Sequence, residues 1–253
     1  GAGGATALDA SVPDVVWTAA LVGPAAMFLV RPGKDLRARL VRAGWTLGGG
    51  PETPESGPGP DELARVIELV HAGSLIVDDV EDESCERRGA PALHCLVGAP
   101  LAINTGSWMY FWALAELGRL CLPGALERAV TALVRCHQGQ ALDLATRVVD
   151  LEARVLPAVV AATTRLKTGA LCRLATELGA LAARAPERRV SAIGDLGEAV
   201  GCALQMLDDL GCLVAEDRRA KACEDLRTAR PTWAWAWLAE QNDPFTWARF
   251  VGL

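Results

Sequence analysis

The amino-acid sequence predicts an all-α protein, one helical domain over residues 1–253, and three observations carry that expectation. Ala, Leu and Val supply most of a hydrophobic fraction of 51%, while aromatic residues reach only 5%, a composition that suits packed helices better than a sandwich or barrel. Strict apolar–polar alternation is scarce. A chain of 253 residues can also bury a large core, and one big domain is the simplest partition.

The elements follow in chain order. The most apolar stretch, Val15 to Val30, is interrupted by Gly23-Pro24, and no basic region precedes it as a secretory signal requires. It reads as a core helix broken or ended near the proline, and no transmembrane segment is expected. Gly48 to Pro60 (GGGPETPESGPGP) is a loop, and Asp61-Glu62 after it makes a favourable negative start for a long helix. There Leu63, Val66, Ile67 and Val70 recur at i, i+3, i+4 and i+7, and the run continues through Leu75 to Val80. The acidic residues that follow therefore sit near a helix C-terminus.

Pro91 and Pro100 bracket a short connection, after which Leu101 to Leu120 reads as a helix ended by Pro123-Gly124. Ala125 to Thr146 and Pro157 to Ala185 make two more, with Pro157 acceptable in a first turn, and Val190 to Val214 another. Trp233, Trp235 and Trp237 alternate, which suits a strand better than a helix; without alternating polar partners the segment is read only as buried or interfacial. No repeat or domain boundary is visible.

A formal charge of −6 argues against a general nucleic-acid binder, whose footprint is a clustered excess of Lys and Arg. It leaves room for an anionic substrate held by local basic residues and by cations on the protein's own carboxylates. Eight cysteines lie scattered without a C-x-x-C pair beside three histidines, which disfavours zinc and suits reduced thiols in a cytoplasmic protein.

The central chemical signal is Ile76-Val-Asp-Asp-Val-Glu-Asp82. Asp78 and Asp82, four residues apart, project from one helical face and can share hard cations. A solvated acidic helix end explains that pattern alone equally well. The balance changes with the basic pair Arg87-Arg88 and a second acidic pair, Asp208-Asp209, on another helix behind Gln205. Two carboxylate clusters facing one another across a helical bundle would hold magnesium with diphosphate oxygens completing the coordination. Metals and arginines so placed would stabilise the charge that builds on the leaving group of an allylic diphosphate.

At these residues the chain resembles the trans-isoprenyl diphosphate synthases, and within them the geranylgeranyl diphosphate synthases of the eukaryotic type. The resemblance rests on Pro32-Gly-Lys-Asp-Leu-Arg37, His71-Ala-Gly-Ser-Leu-Ile-Val-Asp-Asp-Val-Glu-Asp82, Arg87-Arg-Gly89, His137-Gln-Gly-Gln-Ala-Leu-Asp143, Lys167-Thr-Gly169, Gln205-Met-Leu-Asp-Asp209 and Glu224-Asp-Leu226, in order and at roughly the family's spacing. It implies an isoprenoid-synthase helical bundle with a central cavity. The reaction implied joins isopentenyl diphosphate to dimethylallyl, geranyl or farnesyl diphosphate, with Mg2+ as cofactor and a homodimer as the assembly.

The resemblance also implies residue roles. Asp78, Asp82 and Asp208 would ligate metal, supported by Asp79 and Asp209. Arg87 and Lys167 would hold the allylic diphosphate; Lys34, Arg37, His71 and Arg88 would hold the diphosphate of isopentenyl diphosphate. Thr168 and Gln205 would offer oxygen dipoles near the allylic cation. One turn before Asp78, the small Gly73 and Ser74 would let the product tail pass, and Tyr110, Phe111 and His137 would close the pocket at twenty carbons. Trp108 and Trp112 serve helix packing at least as well.

The chain departs from the family's pattern at Cys212, where many members carry a third aspartate, and magnesium would not favour a thiol there. The Leu210 to Cys223 segment lacks a recognisable Gly-Lys pair, and Arg230 stands roughly where a lysine is common. Two alternatives stay open: a terpene cyclase on the same scaffold, which needs no second diphosphate pocket, and a non-catalytic subunit of a heteromeric synthase.

Overall fold

Helix is the rule throughout residues 8–52, 57–214 and 228–252, which the computed structural model describes. The chain falls into two compact units, one running to Glu127 and taking in Leu178–Pro186, the other formed by Arg128–Glu177 and the residues from Glu187 onward.

The first unit opens with α1 (Asp14–Trp17), a π-helical turn (Thr18–Val22) and α2 (Gly23–Leu29). The expected break at Gly23-Pro24 does not occur. Proline lacks an N–H and crowds the carbonyl one turn back, and the wider π turn directly before it accommodates both defects. The segment is not a core helix either. Phe28 is fully buried, but Val15, Val16, Met27 and Val30 are exposed.

After α3 (Leu36–Gly48), α4 (Pro60–Glu81) begins as the sequence predicts. Pro60 presets the first turn, the Gly59 N–H donates to Glu62 Oε2 at 2.6 Å, and Asp61 and Glu62 complement the helix dipole. Its apolar stripe, Leu63, Ile67, Val70 and Ile76, is buried where α4 packs on α3 and α6 (Ala99–Arg119). Gly73 and Gly106 permit the α4–α6 approach. A Cβ on Gly73 would stand 2.7 Å from the Gly106 carbonyl oxygen, and one on Gly106 would stand 2.8 Å from Val77 Cγ2.

Between α4 and α6 the expected short connection contains a hairpin of β1 (Glu86–Arg87) and β2 (Ala90–Pro91), then α5 (Leu93–Val97). These are the only strands among the described residues. The two-residue loop places Arg88 at φ 55° and Gly89 at φ 73°, as a tight hairpin turn demands.

The second unit contains the greater part of α7 (Ala125–Ala145), α8 (Leu156–Thr164), a π-helical turn (Arg165–Gly169), the start of α9 (Ala170–Ala182), and α10 (Glu187–Val214). The single helix expected from Pro157 to Ala185 is thus interrupted by a π turn at Lys167-Thr-Gly169. By length and composition α10 is apolar enough to cross a membrane. Its carboxylates are nevertheless tied to neighbouring helices: Arg135 meets Glu198 at 2.7 Å and Arg173 meets Asp195 at 2.5 Å.

The tryptophan run is α11 (Trp233–Gln241), not a strand, and α12 (Pro244–Val251) follows. Alternation breaks into two helical faces. Trp233 and Trp237 lie with ring centroids 6.1 Å apart, while Trp235 meets Trp247 edge-on at 6.0 Å. Trp233, Trp235 and Trp247 pack with a core of Val148, Leu156, Val160, Ala236 and Ala239.

Candidate active site

In the first unit the last turn of α4 carries Asp78 and Asp79, and Asp82 ends it, its N–H donating to the Asp78 carbonyl at 2.8 Å. Asp79 is fully buried, and the hairpin brings Arg87 onto it. Arg87 Nε donates to Asp79 Oδ1 at 2.6 Å, and one terminal nitrogen lies 2.5 Å from the same oxygen and 3.4 Å from Asp78 Oδ2. Burial pushes the Asp79 carboxyl up, against the pull of Arg87. Burial also works against the Arg87 guanidinium, but the Asp79 carboxylate outweighs it and holds Arg87 above its ordinary range. Asp79 Oδ2 is buried without a hydrogen-bond partner among the described residues. Arg87, assigned by resemblance to a substrate phosphate, is thus already engaged by two of the aspartates.

The neighbouring Arg88 occupies a left-handed conformation that costs a residue with a Cβ about 1–2 kcal/mol. Its guanidinium lies 5.5 Å from the Phe28 ring centroid and donates to the Arg31 carbonyl at 3.4 Å. Arg31 stacks on the same ring at 5.3 Å and donates to the Arg87 carbonyl at 3.2 Å. Sequence reasoning missed Phe28 and Arg31. The signal available was an arginine directly before the quoted Pro32-Gly33-Lys34 segment.

A second cationic group forms where α3 meets α4. Glu68 accepts the Ala38 N–H at 3.1 Å, satisfying one of the open amides at the start of α3. Arg37 thereby lies beside His71, its Nη1 3.0 Å from His71 Nε2. Burial first, then the charges of Arg37, Arg88 and Arg87, hold His71 well below its ordinary value, so the ring is neutral and Nε2 accepts from Arg37. Arg37 Nε is buried without a hydrogen-bond partner among the described residues. Lys34 is exposed in the preceding loop.

The residues assigned to chain length stand in different surroundings. Gly73 is buried against Gly106, so helix packing already requires a glycine there. The Ser74 hydroxyl turns back to the His71 carbonyl at 2.8 Å. Tyr110 is half-buried, but Phe111 is 70% exposed, which is not how a residue closing a pocket within one chain stands. Trp108 and Trp112 stack on each other at 4.9 Å. His137 belongs to the second unit, where it is exposed, with Nδ1 2.9 Å from the Leu133 carbonyl.

In the second unit Lys167 Nζ donates to Asp143 Oδ2 at 2.7 Å, and Arg230 Nη1 lies 3.8 Å from the same oxygen. The Thr168 hydroxyl donates to Gln205 Oε1 at 3.1 Å, and Gln205 Nε2 donates to Asp209 Oδ1 at 2.8 Å. Asp208 is half-buried on α10, and Cys212 is buried. Glu224-Asp-Leu226, and the Leu210 to Cys223 segment beyond Val214, lie outside the described residues.

Among the described residues no three His, Cys, Asp or Glu side chains form a ready metal cage. The donors present are carboxylate oxygens in small sets. That chemistry fits magnesium, which keeps much of its coordination for water and substrate phosphates, and does not fit zinc.

Residues 19–247 match the family described as polyprenyl synthetase. The chain is 34% identical over 213 residues to a geranylgeranyl pyrophosphate synthase of Hypoxylon pulicicidum, covering 81% of this chain and 51% of that one. It is 32% identical to geranylgeranyl pyrophosphate synthase 2 of Zymoseptoria tritici, covering 81% and 60%. The crystal structure of geranylgeranyl pyrophosphate synthetase from Pyrococcus horikoshii is similar with a TM-score of 0.78 at 25% identity, covering 94% of this chain and 75% of that one. This chain spans about half the length of the curated relatives it matches.

Proposed function

The chain belongs to the polyprenyl synthetase family, and on that premise we propose that it condenses isopentenyl diphosphate with an allylic diphosphate to a linear trans-prenyl diphosphate, geranylgeranyl diphosphate in the first instance. The observation that carries the proposal is the pairing, on one helix, of two chemically different sites. His71 with Arg37 makes a metal-free cationic group, and seven residues later, about 10 Å along α4, come the aspartates. A diphosphate recognised by guanidinium and one recognised through cations are what chain elongation needs. A cyclase, which ionises a single diphosphate, has no use for the first.

In the first unit Asp78 and Asp82 are the carboxylates that would hold Mg2+, and in the second unit Asp208 is the candidate. Bound there, magnesium supplies electrostatic stabilisation of the departing diphosphate. Arg37, whose buried Nε has no partner among the described residues, and Arg88 bind the other diphosphate, and Lys34 at the exposed loop contributes charge. Neutral His71 keeps Arg37 in place without neutralising it. Thr168 and Gln205 present oxygen dipoles to the cation left by ionisation. No protein general base is required, because the released diphosphate can take the proton.

The same reading makes the protein a cytoplasmic homodimer. Support for the dimer comes from Ile103 and Phe111, eight residues apart on α6 and 44% and 70% exposed, since two such side chains on one face gain by burial against a second copy. Incubation of the purified protein alone with Mg2+, isopentenyl diphosphate and each allylic diphosphate in turn tests the activity. Elongated diphosphates support it, hydrocarbons would make the chain a cyclase, and activity only on adding a partner would make it an accessory subunit.

A further inference from the structure

In the second unit the polar groups around Gln205 close into one circuit. Thr168 donates to Gln205 Oε1 at 3.1 Å, and Gln205 Nε2 donates to Asp209 Oδ1 at 2.8 Å. The other Asp209 oxygen, Oδ2, accepts the backbone N–H of Trp233 at 2.9 Å, and the Trp233 indole Nε1–H donates to Thr164 Oγ1 at 2.9 Å. Thr164 is the last residue of α8, directly before the π turn that carries Thr168. The circuit therefore runs from α8 through the first residue of α11, across Asp209 on α10, and back to the π turn.

An amide side chain has two ends that differ only in hydrogen-bonding sense, and its orientation is decided by its partners. Asp209, a carboxylate, can only accept, so it takes the Gln205 NH2 and leaves the Gln205 oxygen facing Thr168. Trp233 supplies what keeps Asp209 there. Its amide N–H is one of the open donors at the start of α11 and needs an acceptor, and its indole is anchored on Thr164.

We infer that Trp233 is a positioning residue of the site: through Asp209 it fixes the direction of the Gln205 amide so that its oxygen, not its NH2, lies beside Thr168. The inference rests on the proposed reading only for its catalytic consequence. A flipped amide would place an NH2 group where an oxygen dipole is required beside a developing cation, and the rate would fall without loss of ground-state substrate binding.

Two substitutions cut the indole bond from its two ends, Trp233→Phe and Thr164→Val. Each is expected to lower kcat about three- to tenfold with the KM of both diphosphates unchanged, as loss of one neutral hydrogen bond acting in the transition state implies. The double variant is expected to be no slower than the worse single one, since both remove the same bond. Introduced into a Gln205→Ala background, Trp233→Phe is expected to have no further effect on kcat. A lower melting temperature with unchanged kcat would overturn the inference and leave Trp233 a packing residue, and so would additive losses.

A readout independent of turnover separates this inference from the proposed activity. In a 15N-labelled protein the side-chain NH2 pair of Gln205, assigned by its absence in Gln205→Ala, is expected to move and to exchange faster with water in Trp233→Phe. An unmoved NH2 pair would overturn the inference even in an active enzyme. A moved pair in a protein that elongates nothing would sustain it and sink the activity instead.

Discussion

Replacing Gly73 with alanine separates two explanations of the small residue one turn before Asp78. If Gly73 is small to let a product tail pass, the variant folds normally and makes a shorter product. The structure assigns the glycine to packing instead. A Cβ there would lie 2.7 Å from the Gly106 carbonyl oxygen and 3.2 Å from Met109 Cβ. Backbone carbonyl cannot rotate away, so α4 and α6 must separate by about half an ångström, and overpacking of this kind costs about 1–3 kcal/mol. Alanine recovers up to about 1 kcal/mol of helix propensity relative to glycine. The net expectation is a loss of about 1–2 kcal/mol, seen as a melting temperature lower by about 3–6 °C for a chain of this size. Gly118, on the same α6 with nothing within 4 Å of an added Cβ, is the control, and Gly118→Ala is expected to raise the melting temperature by about 2–4 °C. Thermal unfolding of both variants, with product length measured on the folded fraction, decides. A Gly73→Ala protein that melts like wild type and stops at a shorter prenyl chain would refute the packing argument.

Arg37→Met removes a buried Nε donor that has no partner among the described residues, and it is expected to raise the KM for isopentenyl diphosphate about ten- to a hundredfold while leaving the KM for the allylic substrate alone, as steady-state kinetics with each substrate varied will show. His71 is held below its ordinary value, so the unfolded chain binds the proton first; stability is therefore full above about pH 6.5 and declines below it, by at most about 1.4 kcal/mol per pH unit for this one proton. Denaturant unfolding between pH 7.5 and 5.0 checks this, and His71→Asn is expected to flatten the slope. In the second unit Glu177 is 4% exposed and faces Arg128 at 3.2 Å and Arg173 at 2.8 Å, so Glu177→Gln is expected to destabilise by about 1–3 kcal/mol in urea unfolding, less than for an isolated buried pair because each arginine keeps a second carboxylate, Glu187 or Asp195.

Helix starts and stripes were legible because their causes are local. Pro60, Asp61 and Glu62 announce α4, and the apolar spacing from Leu63 to Val70 fixes its buried face. Two local readings failed for the same kind of reason. Gly23-Pro24 looked like a break because Pro24 has no N–H, but a π turn supplies an alternative to breaking that periodicity does not reveal. Three alternating tryptophans suit a strand by period alone, although over so short a run the first and third also share a helix face while the second lies on another. Trp247, twelve residues after Trp235, provides the edge-on partner of that second ring.

The chemical types of the site were legible; its internal commitments were not. By residue type Arg87-Arg88 is only a basic pair, divided by resemblance alone, and the hairpin gives that division a physical form. Arg87 pairs at 2.6 Å with a fully buried Asp79, whereas Arg88 is held by an aromatic ring and a carbonyl, neither of which neutralises it. The difference arises because β1 and β2 need two positive φ angles between them, which turns Arg88 away from the strand that carries Arg87. Phe28 and Glu68, which place the cations, carry no motif, because a ring under a guanidinium and a carboxylate under a helix amide are defined only by tertiary proximity. The same holds for Asp209. Sequence places it beside Asp208 as one of a pair, and the structure divides the pair's work, with both Asp209 oxygens accepting hydrogen bonds from Gln205 and Trp233. A carboxylate so engaged fits the supporting role that the resemblance implies for Asp209 beside Asp208.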